Sequence, residues 1–319
     1  LSALIGLLMM LAAIWFSVLI VFKRIGYECW YFTHITFYIA IALVFGHQLV
    51  TGSDFTDNRY FAIYWQVLYI FTFVNLIIFR IIRPLVFTFS HKFYVSRLVS
   101  ESSDVVSVYI EGKNMDTFKI EAGQFMIVRF WAPGFKLEAH PFSMSCFPDG
   151  KKIRLSIKAL GDFTKKIPRL KPGTPVYIDG PHGVFTADNV QAKKVLLIAG
   201  GIGITPIRSL AEDFLCRKKD VIIIYGNRNQ SLMVFAKELD ELVDKSEGLL
   251  KVYPVMSMDP EWRGEKGNID LERIKRLVSD VSEREIFLCG PPPMMKMIKT
   301  ALLKMKVKIS KIHYERFAL

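Results

Sequence analysis

AGGIGITPI, residues 199–207, is the stretch that decides how much of this chain folds. It follows VLLIA (195–199), an apolar run of strand length, and leads into a helix-type pattern. Gly200, Gly201 and Gly203 let the backbone turn tightly and let another molecule come close to it. Thr205 reads as the helix N-cap and Pro206 as the first helical residue. Amides at such a helix start suit a diphosphate, although the spacing is not the GxGxxG fingerprint. The strand, turn and helix pattern repeats through VIIIY (221–225), KVYPV (251–255) and EIFLC (285–289). Residues 191–319 are therefore expected to form an α/β domain around a mainly parallel sheet.

In open sheets of this kind, ligands bind beyond the carboxyl ends of the strands. YGNRN (225–229) offers Arg228 there, a residue suited to an adenosine 2′-phosphate and so to NADPH; as a plain surface arginine it would carry no meaning. CGPPPM (289–294) puts Cys289, Gly290 and Pro291 at the end of the last strand, with Cys289 expected near a nicotinamide.

Residues 92–190 have a different texture. Segments 93–99, 105–110, 124–131, 153–158 and 175–179 are rich in Val, Ile, Phe and Tyr and are broken by Gly, Pro and Asp. They predict short antiparallel strands of a barrel. HPFS (140–143) contains Phe142, whose ring can cover a flavin, and Ser143, whose hydroxyl can bond it. His140 is placed to reach a phosphate, with Pro141 between them, and Lys158 closes the 153–158 strand. GDFT (161–164) is expected to open a helix, with Gly161 and Thr164 cradling a pyrophosphate. Each motif alone has an ordinary alternative: a capped helix start, or a tight turn at GPHG (180–183).

The first 84 residues are apolar. Leu1 to Phe22 carries no charge, and Trp30 to Val50 and Phe61 to Ile82 are similar in character. Each reaches the roughly 20 residues that cross about 30 Å of hydrocarbon. His34 and His47 lie within the second stretch. Buried imidazole in a span is costly, and metal or haem ligation is the leading reason to keep it. Thirteen residues of helix would separate the two rings by about 20 Å along the axis and about 140° around it.

The chain of 319 residues is 51% hydrophobic with net charge +12. Up to Pro84 there are five basic residues (Lys23, Arg24, Arg59, Arg80, Arg83) and three acids (Glu28, Asp54, Asp57), so most of the excess lies beyond. Basic residues at 23–27 and after the third span predict that residues 23–27 and everything after Arg83 face the cytoplasm. A basic domain beside a lipid bilayer fits anionic lipid and NAD(P)H phosphates. No basic stripe or recognition motif supports nucleic-acid binding. Cys29, Cys146, Cys216 and Cys289 show no CxxC spacing, which argues against a cysteine-based metal site.

Taken in order, HPFS, GDFT, GPHG, GGIGITP, YGNR and CGPPPM resemble the ferredoxin–NADP reductase superfamily over residues 93–319. The histidine segment is similar to the penultimate span of the bacterial-type NADPH oxidase and ferric reductase transmembrane family. That resemblance implies three domains: haem-binding helices (1–84), an FAD-binding β-barrel (92–190) and an NAD(P)H-binding α/β domain (191–319). It implies that Phe142 and Ser143 hold the isoalloxazine, while His140, Gly161 and Thr164 lie near the FAD diphosphate. Gly201, Gly203, Thr205 and Pro206 would meet the dinucleotide, and Cys289 would flank the hydride path. Phe317, in the C-terminal YERFAL, is the candidate aromatic cover for the flavin.

His34 and His47 would each ligate one b-type haem. Their partner histidines are expected on helices ahead of Leu1, because no other histidine lies in these three spans. The implied activity is transfer from NAD(P)H through FAD and two haems to O2 or Fe(III) across the plasma membrane, with the FAD and NAD(P)H domains cytoplasmic. The alternative is a haem-free membrane flavin reductase feeding a soluble partner or a quinone.

Overall fold

The computed structural model describes residues 1–21, 27–52, 57–136, 138–188 and 190–316. Contacts divide the chain into two units, Leu1–Arg83 and Pro84–Leu319.

In the first unit, α1 (Ser2–Val21), α2 (Tyr27–Thr51) and α3 (Arg59–Ile77) are apolar helices, and a π-turn follows at Ile78–Ile82. Ser2–Val21, Phe32–Leu49 and Arg59–His91 are long and apolar enough to cross a membrane. α1 and α2 pack through small residues. A Cβ on Gly6 would stand 2.9 Å from the Ala40 carbonyl and 2.8 Å from Val44 Cγ2, and Ala13 and Ala40 are fully buried. Small residues let helices approach closely where no hydrophobic effect drives them together. α3 meets α2 where Tyr69 stacks on Phe45 with ring centroids 3.7 Å apart.

The third apolar stretch of the sequence stops at Ile82, but helix continues as α4 from Arg83 to His91. Pro84 falls in its first turn, where a missing N–H is tolerated. The π-turn just upstream is closed by the Arg83 amide on the Ile78 carbonyl.

The second unit opens with a barrel. β1 (Tyr94–Ser100), β2 (Val105–Glu111) and β5 (Ile153–Lys158) form one sheet, and β4 (His140–Ser143), β3 (Phe125–Phe130) and β6 (Val176–His182) another. Isolated bridges Tyr94–Pro175 and Met144–Leu155 join their edges, so the two sheets close into one barrel. Its core holds Phe93, Met126, Phe130, Phe135, Leu155 and Phe163. α5 (Asp162–Lys166) follows β5.

The α/β half contains β7 (Lys194–Gly200), α6 (Ile204–Cys216), β8 (Asp220–Asn227), α7 (Ala236–Lys245), β9 (Leu250–Met256), β10 (Glu265–Lys266), α8 (Leu271–Leu277), β11 (Glu285–Cys289), α9 (Pro292–Lys304) and β12 (Ile312–Glu315). The strands pair in parallel in the order β10-β9-β8-β7-β11-β12. Both faces of the sheet are covered, as the unbroken apolar runs require. One core, under α6 and α7, also takes in Val105 and Ala122 of the barrel; the other lies under α8 and α9.

Candidate functional site

β7 and β11 are neighbours, with Ala199 opposite Cys289. From β7 the sheet grows one way through β8 and the other way through β11. That reversal opens a crevice at the carboxyl ends of the two strands. Gly200, the turn Gly201–Gly203, Cys289 and Gly290 lie at these strand ends.

These glycines serve two purposes. A Cβ on Gly200 would lie 2.6 Å from the Met294 thioether and 2.9 Å from Pro291 Cδ. On Gly290 it would stand 3.1 Å from the Gly200 backbone, and on Gly203 it would stand 2.9 Å from Gly290 Cα. These three let the chain pack on itself. Gly201 differs: its φ is +52° and a Cβ there would meet nothing within 4 Å. It borders open space at the mouth of the crevice, as a backbone cradle for a ligand must.

Two details correct the sequence reading. The N-cap of α6 is Gly203, because the preceding 3-10 turn starts the winding early. Thr205 therefore lies inside the first turn, buried, and its Oγ1 donates to the Ile202 carbonyl at 3.1 Å. Pro206 is the third residue of the helix rather than the first. Arg228 stands exposed just beyond β8.

Cys289 is fully buried. Burial, with a smaller contribution from Glu315, pushes its thiol above the ordinary range, so it stays protonated. Glu315 stands opposite Cys289 in the β11–β12 register, and burial raises its carboxyl. The sequence reading missed Glu315, since only strand pairing brings it beside Cys289.

At the flavin end, β4 pairs with β3 along one edge. Its other edge meets β5 only beyond Ser143, through the Met144–Leu155 bridge. His140 to Ser143 thus present free backbone groups along a strand edge. Phe142 is half-buried, its ring 6.4 Å from that of Phe163 and inclined by 19°. Pro141 is exposed, and Ser143 is buried on the opposite side of the strand from Phe142. Gly161 borders open space.

Three candidates are already engaged. His140 packs 4.1 Å from the Phe163 ring centroid, with Nε2 3.5 Å from Glu138. Thr164 Oγ1 accepts from the Leu160 and Gly161 amides at 2.9 Å and donates to the Gly161 carbonyl at 3.1 Å. The hydroxyl braces its own turn and is not held out to a pyrophosphate. Lys158 is paired with Asp104 at 3.2 Å. Arg129, on β3, was not singled out by sequence; its Nε is buried with no hydrogen-bond partner among the described residues. Phe317 lies outside the described residues.

In the first unit, His34 and His47 occupy one helix. His34 Nε2 is 3.4 Å from Ser17 Oγ and its ring is 4.3 Å from Trp30, while Nδ1 is buried without a partner among the described residues. His47 is exposed, 3.3 Å from Thr51 Oγ1, beside Gly46, where a Cβ would meet nothing. Of the two rings, His34 is packed into its surroundings while His47 is open to ligands. No cluster of three or more metal-binding side chains occurs among the described residues.

A closed barrel with a bare strand edge, joined to a parallel sheet with a glycine crevice at its switch point, defines a two-domain flavin and nicotinamide reductase module. Residues 90–186 match the FAD-binding domain family and residues 197–300 the oxidoreductase NAD-binding domain family. The chain thus carries a ferredoxin-reductase-like oxidoreductase module made of an FAD-binding and an NAD-binding domain.

It is 32% identical over 234 residues to a flavohemoprotein of Candida albicans, across 70% of this chain and 58% of that protein. It is 31% identical over 152 residues to a glycine betaine monooxygenase reductase subunit of Pseudomonas aeruginosa, across 46% of this chain and 42% of the relative. Among solved structures, a ferredoxin reductase in carbazole 1,9a-dioxygenase is 26% identical with a TM-score of 0.62, covering 71% of this chain and 68% of that one. The chain spans about three fifths or less of the length of these curated relatives.

Proposed function

We propose that this chain is the reductase part of a multi-pass membrane flavohaem protein, carrying electrons from cytoplasmic NAD(P)H to an acceptor on the other side, O2 or Fe(III). FAD, when bound, would supply the conversion of a two-electron hydride into single electrons, and haem would supply one-electron transfer. The chain's own residues bind and orient. The Gly201 turn and the start of α6 receive the dinucleotide diphosphate, and Arg228 receives its adenosine end. Gly290 and Pro291 shape the nicotinamide side, and buried Cys289 offers it a neutral wall. The β4 edge, with Phe142 and Ser143, receives the isoalloxazine, and Gly161 leaves room for the FAD diphosphate. His34 and His47 would each hold one haem.

The observation that carries this reading is the pairing of a complete reductase module with three apolar helices, one of which holds both histidines. The haem-free flavin reductase is the second reading. Hydrogen bonding of His34 to Ser17 and its tilted ring contact with Trp30 favour it, since they give that histidine a structural role.

The test is anaerobic reduction of the intact membrane-embedded protein by NADPH, with flavin and haem absorbance followed together. Flavin bleaching followed by reduced-haem bands supports the first reading. A His34→Leu variant should then keep flavin reduction and lose haem reduction. Flavin bleaching without any haem spectrum in the intact protein selects the second reading.

A further inference from the structure

The covalent link between the two halves of the reductase module is one segment between β6 and β7. A single linker leaves domains free to reorient unless their interface prevents it. The apolar part of that interface is non-directional. The polar part is not. Arg154, on β5 of the barrel, is buried and donates through both terminal nitrogens to Glu238 of α7 at 2.8 Å. The same guanidinium donates to Glu101 at 2.8 Å and to Ser107 Oγ at 3.1 Å, so it is anchored on the barrel side. Arg208, on α6, shares Glu238: its Nε lies 2.7 Å from Oε2.

α6 also grips the barrel where it matters. Arg208 donates to the Ser145 carbonyl at 3.1 Å, and Ser209 Oγ donates to the Cys146 carbonyl at 2.7 Å. Glu212 accepts from the Phe147 amide at 2.8 Å. These three backbone positions follow HPFS after one residue, Met144, and α6 continues directly from the Gly201–Gly203 turn. Phe235, at the start of α7, sits in the left-handed region (φ +64°), which a bulky residue rarely adopts. Arg154 and Arg208 stack over its ring, at 4.4 and 5.8 Å.

Buried ion pairs contribute little net stability compared with apolar packing, yet they are directional. We propose that the Arg154–Glu238–Arg208 network, with Ser209 and Glu212, is a positioning device for the hydride step. It holds strand β4 in register with the nucleotide-binding turn, so the network governs hydride transfer more than cofactor retention. The inference rests on the reading of the module as an NAD(P)H-to-FAD reductase. A misplacement of about 1 Å by a change remote from the chemistry can slow a reaction about 100-fold.

The experiment uses the full chain loaded with FAD. Flavin reduction is followed anaerobically by stopped flow over a range of NADPH concentrations, using Arg154→Lys and Glu238→Gln. Ser209→Ala is the mild variant, which removes one hydrogen bond and keeps the charges. The expected result is a limiting reduction rate lowered tenfold or more in the charge variants, with a smaller fall in Ser209→Ala. The apparent NADPH affinity should move less than threefold, and the isotope effect with 4-deuterated NADPH should rise. If the FAD-loaded variants reduce at the wild-type rate and isotope effect while melting earlier, the network is only structural and the proposal is wrong. If Arg154→Lys and Glu238→Gln fail to fold, an unchanged rate and isotope effect in Ser209→Ala overturn it. If the wild-type chain itself shows no flavin reduction by NADPH, the reductase reading fails and the positioning role falls with it.

Discussion

Replacing Gly201 with alanine separates the demands of the fold from those of the ligand. Gly201 has φ +52°, and an added Cβ would meet no protein atom within 4 Å. The folded chain therefore meets only the left-handed backbone penalty for an L-residue, about 1–2 kcal/mol. For a unit of this size, 1 kcal/mol shifts the melting temperature by about 2–4 °C. The new methyl group would occupy the space into which the dinucleotide must come. Losing one charge-assisted hydrogen bond from the backbone there costs about 1.5–3 kcal/mol. That corresponds to roughly a 10- to 150-fold weaker NADPH affinity, at 1.4 kcal/mol per factor of ten. Gly173 is the control, because it has φ +86° and equally empty surroundings but lies in the barrel, before β6. Gly173→Ala should lose comparable melting temperature and no affinity. The assay is calorimetric titration of the FAD-loaded protein with NADP+ and NADPH, beside a thermal melt of each variant. Equal nucleotide affinity in the two variants would refute the placement of the nucleotide at Gly201.

Cys289 should resist iodoacetamide in the folded protein at pH 8, while exposed Cys216 is modified; peptide mapping after timed quenching reads both. Rapid labelling of Cys289 would mean that the crevice opens to solvent. Glu315→Gln should stabilise the protein by about 1 kcal/mol at pH 7, the low end for a poorly solvated polar group because the carboxyl is only half-buried. The gain should vanish at pH 4, where the raised carboxyl is already neutral, and a gain independent of pH would point to another cause. Acid stability should follow three depressed carboxylates, Glu238 at the domain interface and two others. Hydrogen bonds from Arg276 and Arg273 overcome a smaller burial penalty and hold Glu265 at about 2. Asp280 is also at about 2, because Arg284 and Lys194 overcome its burial. Their stabilising contribution is complete above their ordinary range near pH 4 and is lost as pH falls toward 2. Urea midpoints should therefore fall between pH 4.5 and 2.5, and substituting Glu265 and Asp280 with their amides should make that fall shallower.

Much of the site is legible because its parts are local. HPFS, the glycine turn and CGPPPM are each contiguous, and a glycine-rich turn between a strand and a helix has few other physical explanations. The capping of α6 was misread because Thr205 and Pro206 both suit a helix start, and composition does not reveal that a 3-10 turn begins four residues before Thr205. Thr164 was assigned outward because a hydroxyl near a helix start can face a ligand or its own turn, and local sequence does not choose between them. Glu315 had no signal at all, since a lone acid near a chain end looks like any surface acid.

Sequence by itself determined the elements: long helices set by uncharged apolar stretches, strands set by alternating and continuous apolar runs, and turns set by glycine. Each of these is a short-range effect of backbone sterics and side-chain hydrophobicity. Tertiary structure alone decided which ends meet. The closure of the barrel through Tyr94–Pro175 and Met144–Leu155, the facing of Cys289 and Glu315, and the clasp of Arg154 on Glu238 join residues far apart in the chain. Such contacts form only once packing has paid the entropy of closing the intervening chain, so no local pattern announces them.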